Sequence, residues 1–256
     1  MDQSVSVITA SGEQKLDRVA VEEPLQITID GHPVAVLMRT PGDDEALVTG
    51  FLKTEGIIRS TTEIRKLVIE ANHALVFLTD DVTWDVTRLS RNLFSASSCG
   101  ICGKATIDAV MGEQRVLKDG PVFDRSVLLA APDLLRERQV TFETTGGLHA
   151  CGLFNQSGCL LAIHEDIGRH NAVDKVIGRA LLEDHDLTNG CLLVSGRVSF
   201  EVMQKALAAG IPMVAAVSAP SSLAIEFARQ SNQTLVAFLR PPTFKVFSGS
   251  IRLDWG

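Results

Sequence analysis

The chain contains no tyrosine and only two tryptophans among its 256 residues, and aromatic residues make up 5% of the total. Proteins that hold single-stranded nucleic acids use stacking aromatic rings together with a basic surface. This sequence offers little of either, because its formal net charge is −7. We therefore expect no nucleic-acid partner.

Long apolar runs and paired cysteines are also scarce. The most apolar stretch, ALAAGIPMVAAVSA, is interrupted by Gly210 and Pro212 and is too short to span a membrane. The N-terminus lacks the succession of basic, apolar and small residues that marks a signal peptide. Five cysteines, an odd number, argue against a disulfide framework. These features predict a cytoplasmic protein with no membrane partner.

The N-terminal part of the chain is predicted to form a small α+β unit. The segment LQITIDGHPVAVLMRT alternates in polarity around Asp30-Gly31, which predicts a β-hairpin. After Pro41, acidic residues, apolar residues at helical spacing and then Gly56 predict a helix. Two further strand-like runs meet at Ala71-Asn72. Disorder is expected at most in about the first 15 residues, which lack periodicity.

From Ser126 onward, helices and strands alternate in the order α-β-β-α-β-α-β-α-β. Short crossovers in this order predict a mixed sheet with helices on both faces. The order resembles the cytidine deaminase-like fold. The predicted fold class is therefore α/β, or α+β over the whole chain. Its predicted parts are an N-terminal unit (1–95), a cysteine-bearing loop with a linking helix (96–125) and a cytidine deaminase-like domain (126–256).

Deaminases of this fold place zinc ligands at the starts of the two helices that follow the hairpin. The corresponding segments here read GRHNAVD and SGRVSFE. His170 is followed two residues later by Ala172 instead of the required Glu, and no cysteine pair opens the second helix. The sequence therefore predicts a deaminase-like scaffold without a resident metal and without deaminase chemistry.

The segment SSCGICGKA places Cys99 and Cys102 three positions apart. A structural zinc site would need more ligands, and no second C-x-x-C is present. A thioredoxin-type couple needs a strand-to-helix junction, whereas the preceding residues are polar and loop-like. A carrier thiol on a weakly ordered loop is the third interpretation, because Lys104 and a helix start would both lower a thiol pKa. The residue pattern leaves all three open.

The segment HEDIGRHNAVDK joins a strand end to a helix start. Backbone N–H groups there, with Arg169 and His170, could bind an anion such as phosphate. An acid-rich helix cap without a ligand is the alternative. The segments SGRVSFE and SAPSS open the next helices and could line the same pocket, although each alone is an ordinary capping signal. His149 is interpreted as a satisfied polar residue.

Five motifs together resemble the formate dehydrogenase accessory sulfurtransferase family, FdhD: SSCGICGKA, TGGLHACG, EDIGRHNAVDKVIG, SGRVSFEVMQKALAAGIP and VSAPSSLAIEFA. The resemblance runs from about Glu22 to Phe247. It implies a sulfur carrier that takes persulfide sulfur from a cysteine desulfurase on Cys99 or Cys102. The sulfur would pass to the molybdenum or tungsten bis-guanine-dinucleotide cofactor used by formate dehydrogenase. That cofactor is a substrate here, nothing is permanently bound, and the resemblance also suggests a homodimer.

The resemblance also implies the residues of a cofactor pocket. By motif match they are Asp166, Arg169, His170, Asn171, Asp174, Lys175, Ser195, Gly196, Arg197, Ser218, Ala219 and Ser221. Contacts near Arg240 are left open, because two prolines depart from the family pattern there. Competing hypotheses are a chaperone that binds the cofactor without covalent sulfur chemistry, and a thioredoxin-like reductase.

The remaining cysteines are assigned to the protein core. Cys159 and Cys191 lie in the apolar runs CLLAI and CLLV, where cysteine usually behaves as a small buried hydrophobe. Cys151 occupies a place where the family resemblance implies alanine. It could be a third reactive thiol or a small core residue, and we favour the core position.

Overall fold

The computed structural model describes residues 1–84 and 116–255. Cys99 and Cys102, the loop predicted around them and the helix predicted after them lie outside these residues. The same holds for most of the predicted linking segment 96–125. No helix among the described residues is long and apolar enough to cross a membrane.

The N-terminal part contains six strands and one helix within the described residues. They are β1 (Asp2–Ile8), β2 (Gln14–Ala20), β3 (Glu23–Ile29), β4 (His32–Arg39), α1 (Asp44–Thr54), β5 (Ile64–Glu70) and β6 (His73–Leu78).

Among residues 116–255, the C-terminal part adds eight strands and five α-helices. They are β7 (Phe123–Asp124), α2 (Arg125–Glu137), α3 (Val140–Thr145), β8 (His149–Asn155), β9 (Leu160–Asp166), α4 (Arg169–Leu182), β10 (Gly190–Val194), α5 (Phe200–Ala209), β11 (Met213–Ala216), α6 (Ser222–Gln230), β12 (Thr234–Arg240), β13 (Thr243–Ser248) and β14 (Leu253–Asp254).

Strands β3 to β6 form a four-stranded sheet in the order β4-β3-β6-β5. The β3–β4 hairpin turns at Asp30 and Gly31, whose φ angles of 47° and 82° suit a tight two-residue turn. Alternate residues of β3 are fully buried and pack with α1, as the alternation predicts. The predicted hairpin, helix and strand pair of this unit are all confirmed.

The expected disorder of the first residues is wrong. β1 and β2 form an antiparallel hairpin in which Asp2 pairs with Ala20 and Ile8 with Gln14. The hairpin lies beside α3, where the hydroxyl of Thr144 donates to the Asp2 carboxylate at 2.9 Å. Ile8 and Leu16 are 77% and 76% exposed. The hairpin has no fully buried face, and the alternation of apolar and polar residues is limited to Ser4-Val5-Ser6-Val7, where both valines are half-buried.

The C-terminal sheet has six strands in the order β13-β12-β11-β10-β8-β9. β10, β11 and β12 run parallel, whereas β8 is antiparallel to both β9 and β10. Helices α4, α5 and α6 pack on one face and α2 on the other. This arrangement confirms the α/β class and the deaminase-like strand order. The structure adds β13 and the short helix α3, which the sequence did not predict.

Helices α1 and α4 join the N-terminal part to the C-terminal sheet. A Cβ atom on Gly50 of α1 would overlap the carbonyl oxygen of Asp174, and one on Gly178 of α4 would overlap that of Ala46. The two helix backbones are therefore in direct contact, and only glycine fits at these two positions.

We predict that G50A destabilises the protein, because the added methyl group must push α1 away from α4. Such overpacking costs about 1–3 kcal/mol, or more where backbone has to move. Urea unfolding measures the change in the free energy of unfolding. G147A is the matched control, since a Cβ at Gly147 would meet no atom closer than 3.8 Å. A G50A protein as stable as G147A would contradict the close helix contact.

Candidate anion-binding cavity

A cavity of about 680 Å³ lies at the sheet edge where β10, β11 and β12 end. Carboxyl ends of parallel strands gather their following loops at one edge, which is where open α/β sheets bind ligands. Ser195, Gly196 and Arg197 follow β10, and Ser218 follows β11 soon after its end. The structure thus brings these four predicted residues to one cavity.

Three arginines line this cavity: Arg136, Arg197 and Arg240. Arg240 donates from Nε to the carbonyl oxygen of Val217 at 3.1 Å, and the guanidinium of Arg136 lies 4.6 Å from the centre of the Phe142 ring. Asp133 is the acidic residue in the lining. Although the chain as a whole is acidic, the cavity carries an excess of fixed positive charge and suits an anion.

His149 stands at the start of β8 and also lines the cavity. A Cβ on Gly196 would lie 3.2 Å from Nδ1 of His149, so the absent side chain lets the imidazole approach the loop after β10. Burial, followed by the charges of Arg169 and Arg197, lowers the pKa of His149. The helix start at Arg169 and the loop at Arg197 therefore act on the same imidazole.

His170 lies in the first turn of α4 and faces the start of α5. Its Nε2 is 3.5 Å from the hydroxyl of Ser199 and 3.9 Å from the carboxylate of Glu201. Burial, followed by the charges of Lys205 and Arg169, lowers the pKa of His170 to about 4. At neutral pH this imidazole is uncharged and can act as a hydrogen-bond donor or acceptor, but not as a cation.

Asp166 and Lys175 differ from their prediction as ligand contacts, because both are buried. They are 0% and 1% exposed, and Nζ of Lys175 lies 2.8 Å from Oδ2 of Asp166. Lys175 also donates to the carbonyl oxygen of Thr40 at 2.7 Å. Asn171, 8% exposed, donates to the carbonyl oxygen of Met38 at 2.7 Å. The polar atoms of these side chains face the interior and the β4–α1 connection.

Asp174 is buried in a second polar group between three helices. Its carboxylate accepts from the hydroxyl of Thr54 on α1 at 2.8 Å and lies 2.8 Å from Nζ of Lys205 on α5. With 2% exposure it presents no surface to a ligand. The position predicted as a cofactor contact therefore belongs to the junction of α1, α4 and α5.

The other predicted residues lie at or near the surface. Arg169 and Ala219 are half-buried, and Ser221 is exposed. The Ser221 hydroxyl accepts from the backbone N–H of Ala224 at 3.2 Å and caps α6. Ser195 accepts similarly from the backbone N–H of Ala150 at 2.9 Å. Ser221 thus has the capping role that the sequence allowed as its alternative.

The sequence did not indicate Arg136 as a site residue, it left contacts near Arg240 open, and it interpreted His149 as an ordinary polar residue. Arg136 belongs to α2, which is distant in the chain from the three loops. Arg240 follows a bulge in β12, where Phe238 has a φ of 52°. No local sequence pattern places Arg136 or Arg240 beside the cavity, because their positions depend on how α2 and β12 pack around the sheet edge.

Of the five cysteines, three lie in the described part of the chain. Cys151 and Cys191 are buried, as predicted, and burial raises the pKa of both thiols, that of Cys191 to about 12. The burial prediction for Cys159 is wrong, since this residue is exposed in the β8–β9 turn. Its backbone N–H donates to the Asn155 side chain at 2.9 Å. Within residues 1–84 and 116–255, no three His, Cys, Asp or Glu side chains are grouped to hold a metal.

Comparison with protein families gives a match of residues 20–254 to the FdhD/NarQ family. The chain belongs to the FdhD/NarQ family. This membership confirms the resemblance drawn from the five motifs.

Individual FdhD/NarQ proteins are similar over nearly the whole chain. The sulfur carrier protein FdhD of Streptomyces avermitilis is 46% identical, with 93% of this chain and 89% of the relative covered. The protein of the same name from Mycobacterium tuberculosis is also 46% identical, with 95% of each chain covered. The crystal structure of a Desulfotalea psychrophila protein, described as a formate dehydrogenase accessory protein, matches with a TM-score of 0.82. The two chains are 28% identical, and 99% of each is covered.

We predict that H170Q removes part of the loss of stability at acidic pH. Between the usual histidine pKa of 6.5 and the value of about 4 in the folded protein, the unfolded chain binds a proton that the folded protein does not. The free energy of unfolding therefore falls as pH drops through this range, by roughly 2–3 kcal/mol from His170 alone. Urea unfolding at pH 7.5 and pH 4.5 measures this fall in the free energy of unfolding. His73→Gln, which replaces an exposed histidine, is the control. A fall as large in H170Q as in wild type would contradict the prediction.

Proposed function

We propose that this protein is a cytoplasmic sulfur carrier that serves a formate dehydrogenase. It receives persulfide sulfur from a cysteine desulfurase on Cys99 or Cys102 and transfers it to the molybdenum or tungsten bis-guanine-dinucleotide cofactor, acting as a sulfurtransferase and as a homodimer. The observation that carries the proposal is the arginine-lined cavity at the ends of β10 to β12. Support comes from relatives that bear the name sulfur carrier protein FdhD.

The sulfur step needs an accessible thiolate. The thiolate attacks the outer sulfur of the donor persulfide, a new S–S bond forms, and the donor leaves as a thiolate, so no external oxidant is needed. Cys151 and Cys191 do not suit this step, because burial keeps their thiols protonated. Cys159 is exposed in the hairpin turn and is tested separately below. The family resemblance implies the pair Cys99 and Cys102, which we propose as the carrier.

The cofactor is a substrate whose phosphates require cations. A guanidinium matches phosphate oxygens in a forked geometry and keeps its charge at every relevant pH. Arg136, Arg197 and Arg240 supply three such groups around one cavity. Pro132 and Val217 in the lining, both half-buried, provide apolar surface for a ring system. Arg169 and His170 at the start of α4 do not line this cavity. We include them in the proposed anion site because the Arg169 charge acts on His149, which is in the lining.

A non-covalent chaperone for the cofactor is the second candidate function. The arginine-lined cavity favours it equally, since binding and release of an anionic cofactor need no thiol. The two functions differ in one requirement only: the carrier needs Cys99 or Cys102, whereas the chaperone needs neither.

We predict that the protein gains about 32 Da, one sulfur atom, after incubation with a cysteine desulfurase and cysteine. Intact-protein mass spectrometry detects the adduct. It should disappear in C99A/C102A and persist in C159A, which removes the one cysteine that is exposed among the described residues. A C99A/C102A protein that still activates formate dehydrogenase would favour the chaperone.

We predict that GDP binds in the cavity and that R136A and R197A each weaken binding about tenfold or more, because each variant loses a charge-assisted phosphate contact. Isothermal titration calorimetry measures the Kd. R138A is the matched control: Arg138 is an exposed arginine two positions from Arg136 and outside the cavity lining. Equal Kd values for R136A, R197A and R138A would remove the cavity as the phosphate site.

A further inference from the structure

Asp166, the last residue of β9, has a fully buried carboxylate surrounded by four donors. Its Oδ1 accepts from the Gly168 backbone N–H at 2.8 Å and from the Asn171 side-chain amide at 3.0 Å. Its Oδ2 accepts from the Thr40 backbone N–H at 3.1 Å and lies 2.8 Å from Nζ of Lys175. A carboxylate has about four acceptor positions. None remains for a ligand.

Two of these donors belong to the start of α4. Gly168 is the N-cap residue and has no side chain with which to cap the helix. Asp166, two positions earlier, instead accepts from the N–H of the N-cap residue itself, which would otherwise lack a partner. A Cβ on Gly168 would lie 2.8 Å from the Asn171 amide nitrogen, so the turn is closely packed. The carboxylate therefore fixes the backbone from which Arg169 and His170 project.

The other side of the carboxylate is held by the N-terminal part of the chain. Thr40, in the β4–α1 connection, is fully buried and uses three polar groups here. Its N–H donates to Asp166, its carbonyl oxygen accepts from Lys175 at 2.7 Å, and its hydroxyl accepts from the Ile167 N–H at 3.1 Å. A residue of the N-terminal part thus completes the structure that begins α4.

We propose that Asp166 is a positioning residue which, with Thr40 and Lys175, fixes the start of α4 and so sets where Arg169 and His170 meet a bound anion. The N-terminal part then contributes to the site without touching the ligand. This inference deepens the proposed function and rests on it for the identity of the ligand.

Charge balance agrees with this role. A lone carboxylate beside an anion site would repel the ligand, whereas the Asp166–Lys175 pair is neutral as a unit. The Asp166 charge nevertheless reaches the site. Among the groups that shift the pKa of His149, Arg169 and Arg197 lower it, and Asp166 raises it.

The test compares D166N with the double variant D166N/K175M and the control R179M. Asparagine has the same size as aspartate and keeps one acceptor oxygen. Its amide NH₂ group replaces the oxygen that accepts from the Thr40 N–H, so that two donors face each other. The double variant avoids a buried unpaired lysine if D166N alone fails to fold. R179M removes another contact between the same two segments, the hydrogen bond from Arg179 Nε to Asp43 at 3.1 Å, further along α4. Thermal midpoints, imidazole NMR signals of the ligand-free proteins and the Kd for GDP are measured.

We expect the Asp166 variants to shift the imidazole signals of His149 and His170, D166N to lower the pKa of His149, and both to weaken GDP binding about tenfold. R179M should lower the thermal midpoint yet keep the imidazole signals of His149 and His170 and a Kd within about twofold of wild type. Folded Asp166 variants with wild-type imidazole signals, or an R179M protein that changes them equally, would overturn the inference. If wild type binds no GDP, the ligand assignment fails, while the imidazole signals still decide the role of Asp166.

Discussion

The direct backbone contact between α1 and α4 at Gly50 and Gly178 is the constraint on which the rest of the structure depends. Helices this close leave no room for side chains at the crossing, so the polar side chains beside it are enclosed. A buried charge is tolerated only when it is paired and hydrogen-bonded. The Asp166–Lys175 and Asp174–Lys205 pairs meet that condition on either side of the contact. Charged residues near a predicted helix start are thus explained by helix packing.

The same constraint separates two kinds of residue within one motif. In EDIGRHNAVDK, Asp166 and Lys175 face the β4–α1 connection, and Asp174 faces the junction of α1, α4 and α5. Arg169 and His170 remain half-buried at the helix start. Spacing along a helix determines which face a residue occupies, but the identity of the buried face depends on the partner helix. The family motif therefore contains both the residues that hold the helix start and those that can meet an anion.

The sequence predicted most of the fold, because strands with one buried face and amphipathic helices produce a periodic pattern of apolar residues in the sequence. It failed for β1 and β2, where Ile8 and Leu16 remain exposed. At the site it identified the loops after β10 and β11, which lie at a sheet edge by topology alone. It could not identify Arg136 or Arg240, since their approach depends on the placement of α2 and on the bulge in β12. The direction of the Asp166 side chain could not be predicted from the sequence either, because its partner Thr40 is distant in the chain.

The electrostatics of the cavity follow from which of its basic residues keep their charge. Burial and neighbouring arginines lower the pKa of His149, and burial with Lys205 and Arg169 lowers that of His170. Near neutral pH the positive charge therefore comes from arginine, whose guanidinium does not lose its proton in proteins. The positive charge of the cavity therefore does not depend on a protonated imidazole. His149 stands in the lining beside these arginines, whereas His170 lies outside the lining, with its Nε2 3.5 Å from the Ser199 hydroxyl.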